Sequence, residues 1–203
     1  MIRLDTLYHN LEQKVFIAGG IPTWFYENRK IQNMDVLQLE ELTILNAIPT
    51  VEGTIKIAIE ESEKTIHESN VLIYGFGRIG KILCEKFQGL GANVYCVSRR
   101  ESDFAWIKEK RYEPVTYEQV QSKIENMDII INTVPSRVIE KEQIKKIKQD
   151  SVIIDVASSP GGVDKEAAKE YKIKVITALG LPGKVAPKTA AKYIKTMIDK
   201  RIK

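Results

Sequence analysis

The 203-residue sequence has only two cysteines, Cys84 and Cys96, and two histidines, His9 and His67. Neither cysteine stands in a Cys-x-x-Cys or Cys/His spacing, so no metal site is expected. Both lie in apolar stretches and read as buried thiols of a reducing compartment. His9 falls in a polar N-terminal stretch and His67 between a helix and a strand, which leaves no histidine for acid–base work in a cleft. No sign of charge dominates, since 31 basic residues stand against 27 acidic ones for a net +4. That balance gives no reason to expect nucleic acid, although it suits an anionic ligand. The basic residues near the end (Lys184, Lys188, Lys192, Lys195, Lys200, Arg201 and Lys203) read as the wet face of a terminal helix. The N-terminus lacks the pattern of a signal peptide, and no apolar run approaches the length of a membrane span. A cytoplasmic chain without nucleic-acid or membrane partners is the expectation.

What is present has an even rhythm. From Val71 onward, short β-branched runs alternate with helical, charge-rich segments: Val71–Tyr74, Asn93–Val97, a weak run at Glu113–Val115, Ile129–Asn132, Val152–Val156 and Lys174–Thr177. Such alternation spells βαβ units and a parallel sheet. "DIIIN" and "SVIID" are apolar at successive positions, which suits strands covered on both faces. The fold class expected is α/β: a doubly wound parallel Rossmann sheet in the order 3-2-1-4-5-6, with a partial N-terminal α/β segment joined to it by a bridging helix. Residues 1–47 form the partial segment, 48–68 the bridging helix and 69–203 the nucleotide-binding domain with its C-terminal helix. In the first segment, Lys14–Gly20 and Met34–Leu39 read as strands around an irregular "IPTWFYENRK". Thr50 is expected to cap the bridging helix, and Ala186–Ile202 to be the last helix with Ala190, Tyr193, Ile194, Met197 and Ile198 on its apolar face.

The chemistry starts at "VLIYGFGRIG". Gly75, Gly77 and Gly80 stand in a G-x-G-x-x-G frame directly after a strand and at the opening of a helix, with Arg78 and Ile79 filling the loop. Gly75 allows the tight turn, Gly77 the approach of a pyrophosphate and Gly80 the packing of helix on strand. The next strand ends in Ser98, Arg99 and Arg100, where NAD enzymes usually carry an acid for the ribose hydroxyls. A guanidinium there grips a 2′-phosphate with paired hydrogen bonds, so NADP is the expected cofactor. Ligands in this fold sit beyond the carboxyl ends of the strands. Thr133, Val134 and Pro135 of "NTVPS" are therefore expected near the nicotinamide, together with the loops "DVASSPGG" and "ALGLPGKVAPKTA".

Five segments in order, "NAIPTVEGTI", "GFGRIG", "INTVPS", "DVASSPGG" and "GLPGKVAPKTA", resemble the A-type subunits of dipicolinate synthase from about Leu45 to the C-terminus. The resemblance implies a sporulation oxidoreductase that works with a flavoprotein-like B-type subunit of the same synthase. Its substrate would be dihydrodipicolinate or a hydroxytetrahydro precursor, oxidised with NADP to pyridine-2,6-dicarboxylate. It also implies a fuller N-terminal α/β domain than the one read here. Two carboxylates then need cations and N–H donors, for which Arg137, Lys188 and Thr189 are the candidates. Thr50, Glu52 and Lys188 are the catalytic candidates, with Glu52 as general base facing the cleft from the bridging helix. Two other readings stay open: another Rossmann oxidoreductase, and a regulatory or scaffold subunit that binds nucleotide without turnover. Self-association is also open.

Overall fold

The computed structural model describes residues 16–20 and 33–202. The chain forms two compact units, one of residues 47–187 and one of residues 1–46 with 188–203. "IPTWFYENRK" and His9 lie outside the described residues.

In the smaller unit, β1 (Phe16–Ala18) and β2 (Asn33–Asp35) pair in parallel. The second strand is shorter than the expected Met34–Leu39, because the chain turns into a 3-10 helix at Val36–Gln38. Asp35 causes the turn: its carboxylate accepts the Leu37 N–H at 2.9 Å and the Gly20 N–H at 3.2 Å. A side chain that satisfies backbone donors in this way competes with strand pairing. The last helix, α8 (Pro187–Ile202), belongs to this unit rather than to the sheet domain. Its Met197 is buried with Val36 and Leu42, and Tyr193, Ile194 and Ile198 pack beside them. This is the apolar face expected from its sequence.

Helix α1 (Glu40–Glu61) starts ten residues before Thr50, which is therefore inside the helix and does not cap it. Pro49 stands in its interior. An interior proline costs about 3 kcal/mol through its missing N–H and its ring. Burial of Leu42, Ala47, Val51 and Ala58 along the helix offsets that cost. Glu40 and Glu41 in the first turn suit the helix dipole. Contrary to the sequence expectation, α1 is long and apolar enough by length and composition to cross a membrane. Glu52 and Lys56 interrupt its apolar stretch, and its buried residues pack against protein, as in a core helix.

The larger unit holds six strands: β3 (Asn70–Tyr74), β4 (Asn93–Val97), β5 (Glu113–Val115), β6 (Ile129–Asn132), β7 (Val152–Asp155) and β8 (Lys174–Thr177). All pair in parallel, in the order β5-β4-β3-β6-β7-β8. This is the expected doubly wound sheet. The central strands β3, β6 and β7 bury both faces, as their apolar runs require. Val71, Ile73, Ile129, Ile131 and Ile154 enter one core with α2 (Arg78–Gly89) and α3 (Glu101–Glu109). Leu72, Tyr74, Ile130 and Ile153 enter the other, with α4 (Tyr117–Lys123), α5 (Lys141–Ile144) and α6 (Lys165–Glu170). Helix α5 is only four residues long. The loop after β8 carries a short helix, α7 (Leu181–Val185).

The amino ends of the central strands are clamped by Asp128. Its carboxylate accepts the Asn70 N–H at 2.8 Å and the ammonium groups of Lys64 at 2.8 Å and Lys148 at 2.7 Å. Burial pushes this carboxyl up, but the bonds from Lys148, Lys64 and Asn70 outweigh it and leave its pKa at about 2. The outer strands are short: β5 contains Pro114, and β8 starts at the exposed Lys174, which pairs with Glu61 at 2.8 Å.

Candidate dinucleotide site

The carboxyl ends of β3 and β6 are adjacent, and here the strand order reverses. After Tyr74 the chain turns at Gly75, whose φ of +94° is the left-handed region that excludes most side chains. A Cβ on Gly80 would lie 1.9 Å from the Gly75 carbonyl oxygen, so helix and turn touch backbone to backbone. Gly77 differs, since a Cβ there would meet nothing within 4 Å. It caps α2 without any side-chain hydrogen bond, at an exposed position. Protein packing thus accounts for two glycines of the frame and gives no reason for the third. The space over Gly77 is open and adjoins the first turn of a helix, where N–H groups and the helix dipole favour an anion. Arg78 and Ile79 form that first turn.

The neighbouring loop is locked onto this turn. The Thr133 hydroxyl donates to the Tyr74 carbonyl at 2.7 Å, and the Thr133 N–H donates to the same oxygen at 3.1 Å. Val134 is half-buried beside it and Pro135 is exposed.

At the end of β4, Ser98 is buried, while Arg99 and Arg100 are exposed. Arg100 precedes the first turn of α3. The Arg99 guanidinium lies 5.0 Å above the Tyr117 ring. In sequence no acid stands at this strand tip; in space there is one. Asp103, in the first turn of α3, accepts the Ser98 hydroxyl at 2.6 Å. The sequence hides it because the chain folds back over five residues at the strand–helix junction, so a carboxylate beyond the tip returns to it.

Sequence reasoning also misses a buried pair at the ends of β6 and β7. Asn132 and Asp155 are opposite each other in register, and both are fully buried. The Asn132 amide donates to Asp155 at 2.8 Å and to the Val134 carbonyl at 3.0 Å, and its oxygen accepts the Val134 N–H at 3.0 Å. Asp155 also accepts the N–H groups of Ala157 at 3.2 Å and Gly162 at 3.0 Å. A Cβ on Gly161 would come within 2.7 Å of this carboxylate. One buried carboxylate therefore shapes "ASSPGG", and its asparagine partner shapes "NTVPS". The one signal in the sequence is a polar residue closing each of two otherwise apolar runs.

The remaining candidates are more scattered. Arg137 is exposed and pairs with Asp164 at 3.3 Å and Glu166 at 3.7 Å. Thr50 is half-buried, and its carbonyl accepts the Thr54 hydroxyl at 2.8 Å; Glu52 is exposed. The adjoining Gly53 packs closely on α7, since a Cβ there would lie 3.1 Å from Leu181 and 3.2 Å from Val185. Lys188 and Thr189 are exposed in the first turn of α8. His67 is on the surface. Cys84 and Cys96 are free and buried, and the Cys84 thiol together with burial pushes the Cys96 thiol well up, away from the thiolate a nucleophile needs.

A doubly wound parallel sheet with a glycine-framed helix start at its switch point defines the class of nicotinamide-dinucleotide-binding domains. Residues 50–181 match the D-isomer specific 2-hydroxyacid dehydrogenase NAD binding domain family. The A subunit of dipicolinate synthase from Bacillus subtilis is 36% identical over 188 residues, which cover 91% of this chain and 63% of that protein. The crystal structure of the corresponding protein from Bacillus halodurans superposes with a TM-score of 0.93 at 31% identity, covering 98% of this chain and 70% of that one. The Bacillus subtilis structure gives 0.92 at 33% identity, covering 100% and 69%. The chain belongs to the family of dipicolinate synthase A-type subunits. It spans about two thirds of the length of these relatives.

Proposed function

We propose that this chain binds NADP through "GFGRIG" and oxidises a cyclic dihydro-dicarboxylate, dihydrodipicolinate, to the aromatic pyridine-2,6-dicarboxylate, in spore formation. The observation that carries the proposal is the open space over Gly77 at the start of α2, which no protein contact explains. Gly75, Gly77, Arg78, Ile79 and Gly80 would hold the pyrophosphate. Ser98, Arg99 and Arg100 would hold the adenosine end, and Thr133, Val134 and Pro135 the nicotinamide end. When bound, the oxidised nicotinamide supplies a hydride acceptor. The protein's part is to orient and to manage charge. Arg137 is suited to one substrate carboxylate, because its guanidinium is exposed and its pairs, with the half-buried Asp164 at 3.3 Å and the exposed Glu166 at 3.7 Å, are long enough for a bound dicarboxylate to displace. Lys188 and Thr189, exposed in the first turn of α8, carry an ammonium and a hydroxyl, groups suited to a carboxylate. Glu52 would accept the proton the ring loses as it becomes aromatic, with Thr50 beside it. The relatives' name denotes one subunit of a synthase, so a second, B-type subunit is part of the proposal.

Asp103 favours a second reading in which its carboxylate holds the ribose hydroxyls of NAD. Its hydrogen bond from Ser98 and the two flanking arginines weigh against it. Calorimetric titration decides: NADP binds more tightly than NAD to the wild-type chain, and Arg99→Ala removes the difference. Equal wild-type affinities would reverse the choice. Reduced-nicotinamide absorbance with substrate, with and without the second subunit, tests turnover; binding without turnover in both cases would leave a nucleotide-sensing subunit.

A further inference from the structure

We infer that Tyr117 is a positioning residue for cofactor discrimination: its ring holds the Arg99 guanidinium at the end of β4, ready for a 2′-phosphate. The inference rests on the NADP reading and adds the device that makes Arg99 effective.

Arg99 stands on a surface loop, where a long side chain samples many rotamers unless something selects one. The guanidinium lies 5.0 Å above the Tyr117 ring. No carboxylate among the described residues pairs with it, so the aromatic side chain is its partner. A guanidinium carries five N–H donors, so one held against a tyrosine keeps donors to grip a phosphate. A carboxylate partner would occupy those donors instead.

The ring is itself fixed. Tyr117 is the first residue of α4, and Thr116 before it makes a reciprocal capping box with Gln119: the Gln119 N–H donates to the Thr116 hydroxyl at 3.3 Å, and the Thr116 N–H to the Gln119 amide oxygen at 3.0 Å. The fully buried Tyr74, the last residue before the phosphate turn, meets the Tyr117 ring edge-on, with centroids 6.3 Å apart and planes at 60°. On the other side of Arg99, the Ser98–Asp103 hydrogen bond at 2.6 Å pins the turn. The arginine is therefore carried between a capped helix start and a tied turn, and the aromatic brace leads back to the residue adjoining Gly75. Burial pushes the Tyr117 hydroxyl up while Arg99 draws it back, in keeping with a guanidinium held close to it.

The test uses the whole chain and titrates NADP and NAD separately. Tyr117→Leu weakens NADP binding about two- to fivefold, the size of an exposed cation–π contact, and leaves NAD binding unchanged. Tyr117→Phe keeps the ring and keeps most of the NADP affinity, losing only what the contact between the hydroxyl and Arg99 contributes. In the Arg99→Ala background, Tyr117→Leu has no further effect. Thermal melting checks folding, and Tyr117→Met, of similar bulk without a ring, replaces the leucine variant if that one unfolds. Equal losses for NADP and NAD, or an unchanged NADP affinity in Tyr117→Leu, overturn the inference. If Arg99→Ala abolishes the NADP preference and Tyr117→Leu leaves NADP affinity unchanged, only the positioning role fails. If the wild-type chain does not prefer NADP, the reading beneath it fails and the role goes with it.

Discussion

Single residues divide into those whose role is local in sequence and those whose role is local only in space. The glycines of "GFGRIG" are of the first kind: a turn needing positive φ and a helix packing on its strand are contacts over five residues, and the motif records them. Gly77 gives the sharpest test. Its φ of −82° suits any residue and nothing lies within 4 Å, so Gly77→Val should fold with little change in melting temperature. A side chain there fills the space proposed for the pyrophosphate, and any stabilisation by saturating NADP should vanish in a thermal-shift measurement. A variant that still gains stability with NADP would move the phosphate site elsewhere. Asp103, Asn132 and Asp155 are of the second kind. Each is an ordinary polar residue in sequence, and its meaning comes from a partner brought up by the fold. Composition and periodicity carry no trace of such pairs, which is why Asp103 reads in sequence as one more polar helix residue.

Strands and helices are legible where one pattern dominates. The runs of β3, β6 and β7 announce two-sided burial, and the structure covers both faces. Sequence and structure part where local and tertiary preferences disagree. Pro49 marks a helix start on local grounds, yet burial on both sides of it carries α1 through. Asp35 ends a strand that looks continuous in sequence. The β6 and β7 ends act as a pair, because Asp155 and Asn132 join their loops. Asp155→Ala would leave one N–H of the Asn132 amide and the N–H groups of Ala157 and Gly162 without an acceptor. Unmet buried donors cost about 1–3 kcal/mol each, so a loss of about 3 kcal/mol or more is expected in denaturant unfolding. Hydrogen exchange in residues 155–162 should rise in step. Exchange that stays at the wild-type level would show that the loop keeps its shape without the carboxylate.

At the scale of the molecule, the sheet has a functional end and a structural end. The carboxyl ends of the strands carry the candidate site, and Asp128 clamps the amino ends. Its folded pKa of about 2 lies below the ordinary aspartate value of about 3.9. Sign follows from the linkage: the group's contribution is fully present above about pH 4 and is lost as pH falls through about 2. Unfolding midpoints should therefore drop between about pH 4 and 2, and Asp128→Asn should flatten that part of the profile. An unchanged slope in the variant would remove Asp128 from the acid response. The division of the chain is legible only in part, since α8 reads as the last helix of the nucleotide domain and packs instead with Val36 and Leu42, a contact between opposite ends of the sequence. The outer strands have a consequence of another kind. A row of unpaired backbone groups invites a strand from another molecule, and polymerisation begins from such rows. Pro114 removes a donor from one margin of the sheet, and the other margin opens on a lysine ammonium. A sheet so terminated resists growing into a fibril even when the chain is crowded.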